Sequence, residues 1–481
     1  MELVTKKAMK CIQEADVIVY DNLIDISLLN YASLNTELIY AGKEAANHYL
    51  SQGSIIELLM DKAREGKYVV RLKGGDPYLF GRGSEEALAL KEAGISYEIV
   101  SGVTSSIAVP AYAGIPVTDR RFVSSCHIIT AHREDEAGID FENISKLEGT
   151  LVFMMGLAKL HHIVQGLTLH GKASDTPVAV LSDGSRYNRR KCVGTLADIE
   201  EKVKEAKLLP PAIIVVGEVV SLSNELDNFL ERYSDKKLFR KKILLTGTRY
   251  ICHKIKAALA DEGCDIDEIS IIESVPIESD FYNNIEKYIE SHDYLVFSSA
   301  NGIRVFFEKL KELHNVDLRK LSNIKFAVIG KGSAQTLRNY GYIADFIPSS
   351  FSNKDLAVEL CKQLKGEKLL LLRAREASTE LVEELEANKV EYTDVPLYET
   401  FRDYRRTFDI KRLIKNYDYV VVASSITAHT LCEMVEDKAL LEGRVVSIGP
   451  VTTGTCKRLG LEPLMSAREY SVDGIVRVLL Q

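Results

Sequence analysis

The chain has 481 residues, of which 46% are hydrophobic and 27% are charged, and its net charge is −8. This length exceeds one ordinary domain, so two or three are expected, and the composition is typical of a globular rather than a disordered protein. The acidic balance disfavours bulk attraction for nucleic acid, and no apolar run reaches the roughly 20 residues that cross a bilayer. The eight cysteines include no Cys-x-x-Cys pair, which disfavours a zinc site and a disulfide framework. A cytoplasmic protein without a metal is therefore expected.

Short apolar runs alternate with longer helical patterns along the whole chain. The first run is Val17–Tyr20, and later ones follow helical patterns over residues 55–63 and 85–93. This rhythm predicts α/β architecture with largely parallel sheets. The pattern breaks over the polar residues 221–241, which indicates a domain boundary. The predicted organisation is a front half (1–222), a linker (223–240) and a rear half (241–481).

The run over residues 69–86 combines a β-branched strand, a glycine-dense turn and the start of a helix. Gly74 and Gly75 let the backbone approach a ligand closely and adopt positive φ. Asp76 can accept hydrogen bonds from ligand hydroxyls or amines. The run therefore predicts a small-molecule cradle, and a tight turn without a ligand is the alternative.

This run resembles the glycine-rich signature of uroporphyrinogen-III C-methyltransferases, which belong to the tetrapyrrole methylase family. Further segments that match the family lie before and after this run, in the family's order, at 20–24, 42–43, 101–118, 153–156 and 211–217. The resemblance covers about residues 1–222 and implies a tetrapyrrole methylase fold, with S-adenosylmethionine bound in a cleft between two α/β subdomains. It implies cofactor contacts from Gly74, Gly75, Asp76, Leu79, Thr104, Ser105, Met155, Gly184 and Ala212.

The resemblance also implies that two methyl groups are transferred to uroporphyrinogen III to give precorrin-2. It places the general base and acid for this reaction at Asp21 and Lys43. Arg82, Arg120 and Arg121 are expected to bind substrate carboxylates, because guanidinium forks match carboxylate geometry. Helix capping for Asp21 and a solvated side chain for Lys43 are the alternatives.

Several residues depart from the family pattern. Asn22 and Glu44 replace arginines, Asp119 replaces a histidine and Ser101 replaces a proline, so a weaker grip on substrate is expected. Family members also open with a strand and a Gly-x-Gly-Pro-Gly-Asp-Pro loop ahead of the segment that matches residues 2–5. We hypothesise that the given start is internal to a longer reading frame, and a native mass of 53.7 kDa would refute this. If Met1 is the true start, impaired methyl transfer is expected.

The rear half shows an internal duplication. Residues 293–299 are echoed by 418–425, and residues 275–277 are echoed by 395–397. Two lobes that enclose a cleft are predicted. One lobe comprises 241–276 with 398–481, and the other comprises 277–397. The paired Val-Pro segments are predicted to be edge or linker strands, because proline cannot donate to an interior ladder.

The rear half resembles uroporphyrinogen-III synthase, with motifs at 296–302, 371–373, 396–400, 447–452 and 470–474. The resemblance implies cyclisation of hydroxymethylbilane with inversion of the last ring, without metal or cofactor. Tyr398 matches a tyrosine proposed to assist loss of the substrate hydroxyl. Ser298, Ser299 and Thr452 lie in turns that typically bind anions. Strand packing for Tyr398 and helix capping for the other three are the alternatives.

Three hypotheses follow for the whole chain. The first is a bifunctional enzyme that converts hydroxymethylbilane to precorrin-2. The second is an active synthase whose methylase half is impaired and mainly binds tetrapyrrole. The third is a methylase for a later corrin intermediate, followed by an unrelated binding module. Asp21, Lys43 and the run over 74–86 favour the first over the third.

Neither nucleic acid nor membrane is an expected partner, and the resemblance suggests a homodimer through the front half. The siroheme and cobalamin branches both stay open.

Overall fold

The computed structural model describes residues 2–42, 50–131, 138–313, 317–350 and 352–481. The strands are β1 (Val17–Tyr20), β2 (Glu37–Tyr40), β3 (Val69–Leu72), β4 (Cys126–Thr130), β5 (Thr150–Met154), β6 (Pro177–Ser182), β7 (Arg190–Thr195), β8 (Ala212–Val216), β9 (Lys242–Gly247), β10 (Asp265–Ser270), β11 (Ile272–Pro276), β12 (Tyr294–Phe297), β13 (Lys325–Val328), β14 (Leu369–Ala374), β15 (Tyr392–Arg402), β16 (Tyr419–Val422), β17 (Val445–Ser447) and β18 (Met465–Ser466).

Helices separate most of these strands, as the alternating pattern predicts. The α-helices are α1 (Lys6–Glu14), α2 (Gln52–Arg64), α3 (Gly83–Glu92), α4 (Ser105–Tyr112), α5 (Phe141–Ile144), α6 (Leu160–Leu169), α7 (Ile199–Glu205), α8 (Ser223–Leu226), α9 (Phe229–Tyr233), α10 (Arg249–Ala258), α11 (Asp280–Asn283), α12 (Ile285–Glu290), α13 (Ala300–Glu312), α14 (Lys331–Arg338), α15 (Asn353–Cys361), α16 (Glu380–Ala387), α17 (Thr407–Leu413), α18 (Ser425–Met434), α19 (Pro450–Arg458) and α20 (Val472–Leu479). Short 3₁₀ helices span Ile26–Tyr31, Leu157–Lys159, Glu218–Leu222, Leu318–Asn323, Tyr404–Arg406, Ile414–Asn416 and Lys438–Leu441.

The first sheet has the strand order β2-β1-β3 and is parallel in its described pairings. All four residues of β1 are buried, as expected for a central strand of β-branched and aromatic residues. Carboxyl ends of parallel strands lie at one edge of a sheet, where α/β proteins bind their ligands. Asp21, which follows β1, and Gly74, which follows β3, therefore lie at the same edge.

The second sheet has the order β4-β5-β8-β6-β7 and is mixed rather than parallel. Its β4–β5 pair is parallel, whereas the β5–β8, β8–β6 and β6–β7 pairs are antiparallel. The expectation of a largely parallel sheet is wrong here. The chain passes from β6 to β7 through the short segment 183–189, and a connection without a crossover helix makes neighbouring strands antiparallel.

The rear half contains two five-stranded sheets, one in each lobe. Their orders are β10-β9-β16-β17-β18 and β11-β15-β14-β12-β13. All pairings are parallel except that of β11 with β15. The predicted fold class, a tetrapyrrole methylase fold of two α/β subdomains followed by a two-lobed α/β synthase fold, is confirmed.

The two Val-Pro segments lie in one sheet and occupy different positions. Pro276 ends the edge strand β11, as predicted, because proline has no N–H for a ladder. Pro396, however, lies within the interior strand β15, so the prediction of an edge or linker strand is wrong there. The register between β14 and β15 shifts beside Arg373 and Ala374, and this bulge accommodates the missing donor. All of β11 and β15 therefore belong to the second lobe's sheet, including residues 272–276 and 398–402 that were expected in the first lobe.

The two halves share a hydrophobic core. One cluster of buried side chains joins Ile18, Tyr20 and Leu29 of the front half to Ile410 and Ile414 of the rear half. The segment predicted as a linker is also packed, since it contains α8 and α9 and buries Phe229, Tyr233 and Leu238. The halves therefore pack against each other directly as well as through the connecting segment. None of the helices in the described ranges is both long and apolar enough to cross a membrane.

Candidate active sites

Asp76 joins the two glycine-rich loops of the front half. Its Oδ1 accepts the N–H of Tyr78 at 2.9 Å, and its Oδ2 accepts the N–H of Gly102 at 3.1 Å. A side chain at Gly102 would place a Cβ 2.1 Å from the Gly75 oxygen, so only glycine fits where the loops meet. The loops over 74–79 and 101–105 therefore form one surface, and each carboxylate oxygen keeps a further lone pair for a ligand.

Gly74 and Gly75 meet different structural demands within this surface. A Cβ on Gly74 would lie 2.8 Å from the oxygen of Leu23, which brings the loop against the segment after β1. Gly75 has a φ of +76°, a conformation that side chains disfavour, and its Cα lies near the Thr104 backbone. The close approach predicted from the sequence therefore includes contacts with both neighbouring segments.

Four of the seven non-glycine residues with positive φ in the described ranges lie in or beside segments that carry predicted cofactor residues. Phe80, Arg82, Met155 and Asp183 have φ values of 54°, 60°, 55° and 50°, in the left-handed region that non-glycine residues seldom occupy. Such strain persists where the surrounding structure fixes it, commonly at ligand sites. Met155 is 51% exposed, so packing in the core does not explain a methionine at this position. Phe80 and Asp183 were not singled out from the sequence, because φ cannot be read from residue type.

The other predicted cofactor residues follow one another along α4 and the adjacent strand ends. Thr104 caps α4 through a hydrogen bond from the Ser106 N–H at 3.4 Å, and Ser105 is the first helical residue. Gly184 packs so closely against Val109 of α4 that a Cβ would lie 2.2 Å from a methyl carbon. The remaining contacts are Ala212, which pairs with Ser182 just before Gly184, and Leu79, whose N–H reaches the Asp76 carbonyl at 3.3 Å.

A cavity of about 130 Å³ adjoins Gly184 on this side of α4. Its lining includes Arg189, Arg190 and Lys191, while Asp227 is the acid among the described lining residues. The Arg189 guanidinium lies 3.7 Å from the Phe229 ring centroid, and burial lowers its pKa. The surroundings of the predicted cofactor site are therefore basic, although the chain as a whole is acidic.

Asp21 lies at the carboxyl end of β1 and is held by two contacts. Its Oδ1 accepts the N–H of Leu23 at 3.0 Å, and its Oδ2 lies 3.5 Å from an Arg71 nitrogen. Arg71 also pairs with the buried Glu86 at 3.4 Å, and Glu86 in turn binds Lys73 at 3.1 Å. Burial lowers the pKa of Lys73. Lys43, the second predicted catalytic residue, lies outside the described residues.

Two of the three predicted substrate arginines are paired with nearby acids. Arg82 contacts both oxygens of Glu85, at 2.8 and 2.7 Å, and Arg121 contacts both oxygens of Asp119, at 2.9 and 3.0 Å. The Arg121 fork lowers the pKa of the Asp119 carboxyl to about 2. Arg120 is exposed. Arg82 and Arg121 would exchange these carboxylates for those of a substrate, and the substrate roles of all three stay predictions.

In the rear half, Tyr398 and Ser299 form a hydrogen-bonded pair. Their hydroxyl oxygens lie 2.9 Å apart, and Ser299 also caps α13 by accepting the Gly302 N–H at 3.0 Å. Tyr398 is 5% exposed, and burial raises the pKa of its phenol. Ser298 is half-buried beside this pair, whereas Thr452 is buried within α19. Thr452 is only 1% exposed, so its predicted contact with substrate stays a prediction.

Helices of both lobes begin after the carboxyl ends of parallel strands. Helices α13 and α14 follow β12 and β13 in one lobe, and α18 and α19 follow β16 and β17 in the other. Helix N-termini present unpaired N–H groups and partial positive charge, which favour anions. The lobes meet where the Arg304 guanidinium of α13 lies 4.1 Å from the Tyr250 ring centroid of α10. The helix N-termini of the two lobes are therefore suited to a substrate with several carboxylates.

The fold and sites together define a two-module α/β protein with a strained glycine-rich loop surface in front and, behind it, two lobes whose helix N-termini favour anions. Residues 1–200 match the family of tetrapyrrole (corrin/porphyrin) methylases, and residues 253–477 match uroporphyrinogen-III synthase HemD. A porphyrin biosynthesis protein HemD from Ruminiclostridium josui is 35% identical over 486 residues, covering 100% of this chain and 95% of the relative.

Relatives of the front half alone are more similar in sequence. A uroporphyrinogen-III C-methyltransferase from Methanocaldococcus jannaschii is 49% identical over 223 residues, which are 46% of this chain and 92% of that protein. An S-adenosyl-L-methionine-dependent uroporphyrinogen III methyltransferase from Methanosarcina barkeri is 50% identical over 228 residues, 47% of this chain and 89% of that protein. The chain belongs to the porphyrin biosynthesis protein HemD family, with a tetrapyrrole methylase domain followed by a uroporphyrinogen-III synthase domain. Both resemblances drawn from the sequence are confirmed.

Proposed function

We propose that the chain is a bifunctional enzyme of tetrapyrrole biosynthesis. Its rear half cyclises hydroxymethylbilane to uroporphyrinogen III, and its front half methylates that product twice with S-adenosylmethionine to give precorrin-2. The observation that carries the proposal is the surface formed by the Asp76-linked loops, in a chain that aligns throughout with a porphyrin biosynthesis protein HemD.

The residues of the front site fit the methyl donor. Gly74 and Gly75 expose backbone groups for a polar ligand edge, Asp76 keeps lone pairs for ribose hydroxyls, and the half-exposed Met155 suits an apolar contact. Bound there, S-adenosylmethionine supplies a methyl group on a sulfonium sulfur, which is already a good leaving group. The protein's main task is therefore alignment of the donor with the substrate carbon.

Proton movements in the front half are assigned to Asp21 and Lys43. Asp21 contacts Arg71 and lies at the sheet edge where ligands bind, and we assign to it the proton that the substrate loses as its rings rearrange. Lys43 is assigned the complementary proton donation on the family resemblance. A carboxylate held by one guanidinium and one backbone N–H is fixed in direction, as a general base requires.

In the rear half, Tyr398 acts as a proton donor. Because burial raises the pKa of this phenol, it keeps its proton at neutral pH. It donates that proton to the substrate hydroxyl, which leaves as water, while helix N-termini hold the carboxylates. The Ser299 hydroxyl, 2.9 Å away, orients the phenol and provides a route by which Tyr398 regains a proton from solvent.

The front half has a second candidate function, an impaired methylase that mainly binds tetrapyrrole. The observation that favours it is the pairing of Arg82 with Glu85 and of Arg121 with Asp119, which leaves fewer guanidinium groups for substrate. A cytoplasmic location, a homodimer through the front half and the substrate roles of individual residues stay predictions.

Purified protein incubated with hydroxymethylbilane and S-adenosylmethionine separates the two functions. The bifunctional enzyme gives a dimethylated macrocycle and two equivalents of S-adenosylhomocysteine, detected by mass spectrometry. The impaired methylase gives unmethylated uroporphyrinogen III at an undiminished rate. Supplying uroporphyrinogen III directly tests the front half alone, and formation of uroporphyrinogen I from hydroxymethylbilane would contradict the rear-half assignment.

A further inference from the structure

A buried polar cluster connects the rear half to the first sheet of the front half. Asp409 of α17 is completely buried and lies 3.1 Å from the equally buried Arg406. The Tyr20 hydroxyl, at the end of β1, donates to Asp409 at 3.0 Å. Arg406 donates to Asn30 of the front half at 2.7 Å. Removal of one member of such a buried network leaves the others without partners. The cluster therefore holds the rear half in a fixed position against the first sheet.

Arg412, one turn further along α17, contacts the ends of β1 and β2, and Asp21 directly follows β1. Its guanidinium donates to the side-chain oxygen of Asn22, the residue after Asp21. The same guanidinium lies 4.7 Å from the ring centroid of Tyr40, the last residue of β2. Tyr40 precedes Lys43 by three positions in the sequence. One side chain of the rear half thus touches both the segment that carries Asp21 and the end of β2.

These two segments also contact each other. A Cβ on Gly42 would lie 2.9 Å from the backbone nitrogen of Asn22, so the chain after β2 runs directly against the chain after β1. The planar fork of Arg412 suits this position, because a guanidinium both donates in fixed directions and stacks on an aromatic ring. Neither property is shared fully by lysine.

The charges around Asp409 allow the effect of Arg412 on the methylase site to be separated from the effect of Arg406 on folding. Asp409 lies 3.6 Å from Arg412 and 3.1 Å from Arg406, so two guanidinium groups share one carboxylate. Loss of Arg412 leaves Asp409 paired with Arg406 and with Tyr20. Asp409 therefore keeps two partners in a variant at 412, which is expected to fold.

We propose that Arg412 of the synthase domain is a positioning residue for the methylase site, where it holds the end of β1, which precedes Asp21, against the end of β2. The inference rests on the proposed function of the front half. It means that the synthase domain completes the methylase site through α17, in addition to supplying its substrate.

The test compares Arg412→Met with Lys411→Met in the full chain. Lys411 precedes Arg412 on the same helix, but its ion pair is with Glu436 of the rear half, at 2.6 Å. Methylation of uroporphyrinogen III should fall about tenfold or more in Arg412→Met, mainly in kcat, because small displacements of reacting groups cost that much or more. Binding of S-adenosylhomocysteine and cyclisation of hydroxymethylbilane should match wild type, and Lys411→Met should match it in every assay.

A double-mutant cycle with Asn22→Leu supplies the second measurement. If Arg412 acts through Asn22, each single variant lowers kcat and the double variant adds little further loss, because the two changes remove one contact. Arg412→Lys should recover only part of the rate. Equal methylation kcat in Arg412→Met and Lys411→Met, or additive losses in the cycle, would overturn the inference. Wild-type protein that does not methylate uroporphyrinogen III would instead overturn the proposed function itself.

Discussion

The carboxylate of Asp76 accepts the backbone N–H of Gly102 at 3.1 Å, so an acid in one loop fixes the position of a second loop 26 residues later. This contact makes the two glycine-rich segments a single ligand-binding surface. It also gives Asp76 a structural role that its expected ribose contact alone would not require.

Asp76→Ala should weaken S-adenosylhomocysteine binding about tenfold or more, because hydrogen bonds to a charged group contribute roughly 1.5–3 kcal/mol each. Isothermal titration calorimetry measures this affinity. Cyclisation of hydroxymethylbilane by the same preparation is the control, since Asp76 lies in the other half. Undiminished affinity would show that the loops bind no cofactor through this residue.

Gly102→Ala should abolish methylation while leaving cyclisation intact. The added Cβ would lie 2.1 Å from the Gly75 oxygen, a backbone atom that can move away only if the loops separate. The matched control is Gly53→Ala in α2, where the nearest atom outside the helix is 3.7 Å away. That control should retain methylation and gain about 0.5–1 kcal/mol of stability from helix propensity. Methylation rates and thermal unfolding of both variants provide the comparison.

Met155→Gly should stabilise the fold and weaken cofactor binding. Relief of the left-handed conformation should stabilise the fold by about 1 kcal/mol, while loss of the half-exposed side chain weakens cofactor binding. Lys389→Gly is the control, because Lys389 has a φ of 55° and is exposed at the end of α16. It should be stabilised similarly with no change in methylation. A Met155→Gly variant with normal cofactor affinity would contradict the site assignment.

Tyr398→Phe should lower the cyclisation rate by about 10²-fold, the usual contribution of one general acid. Burial raises the pKa of this phenol, so it loses its proton only above the pH at which free tyrosine, with a pKa of about 10, would ionise. The wild-type rate should therefore show no alkaline decline up to about pH 10 from this group. Pre-steady-state measurements of ring closure across pH check both expectations, and a decline centred near neutral pH would assign the acid to another group.

Asp409→Ala should destabilise the whole chain by about 3–5 kcal/mol, because it leaves Arg406 buried without its carboxylate. The loss should appear as one unfolding transition for both halves, since the cluster joins them. Denaturant unfolding followed by circular dichroism and by cofactor binding measures it. Independent transitions for the two halves would contradict the shared core.

The sequence predicts the local features of this protein well. The run over 74–86 correctly indicated a strand, a glycine turn and a helix, because these depend on residue type over short distances. The Arg71–Glu86 pair is not predicted from the sequence, although both residues lie in the run over 69–86, since only the fold shows that they meet. The bulge beside Pro396 and the mixed second sheet depend on which strands become neighbours, and local periodicity does not determine that.

The contact of Tyr20 with Asp409 spans most of the chain, and it affects how the protein is made. On the ribosome, β1 is complete long before α17 exists, so one face of the first sheet lacks a partner that is synthesised 389 residues later. During translation that apolar face is exposed to aggregation and to chaperones. Fusion of the two enzymes thus places successive catalysts close together, but it also delays the folding of the first sheet.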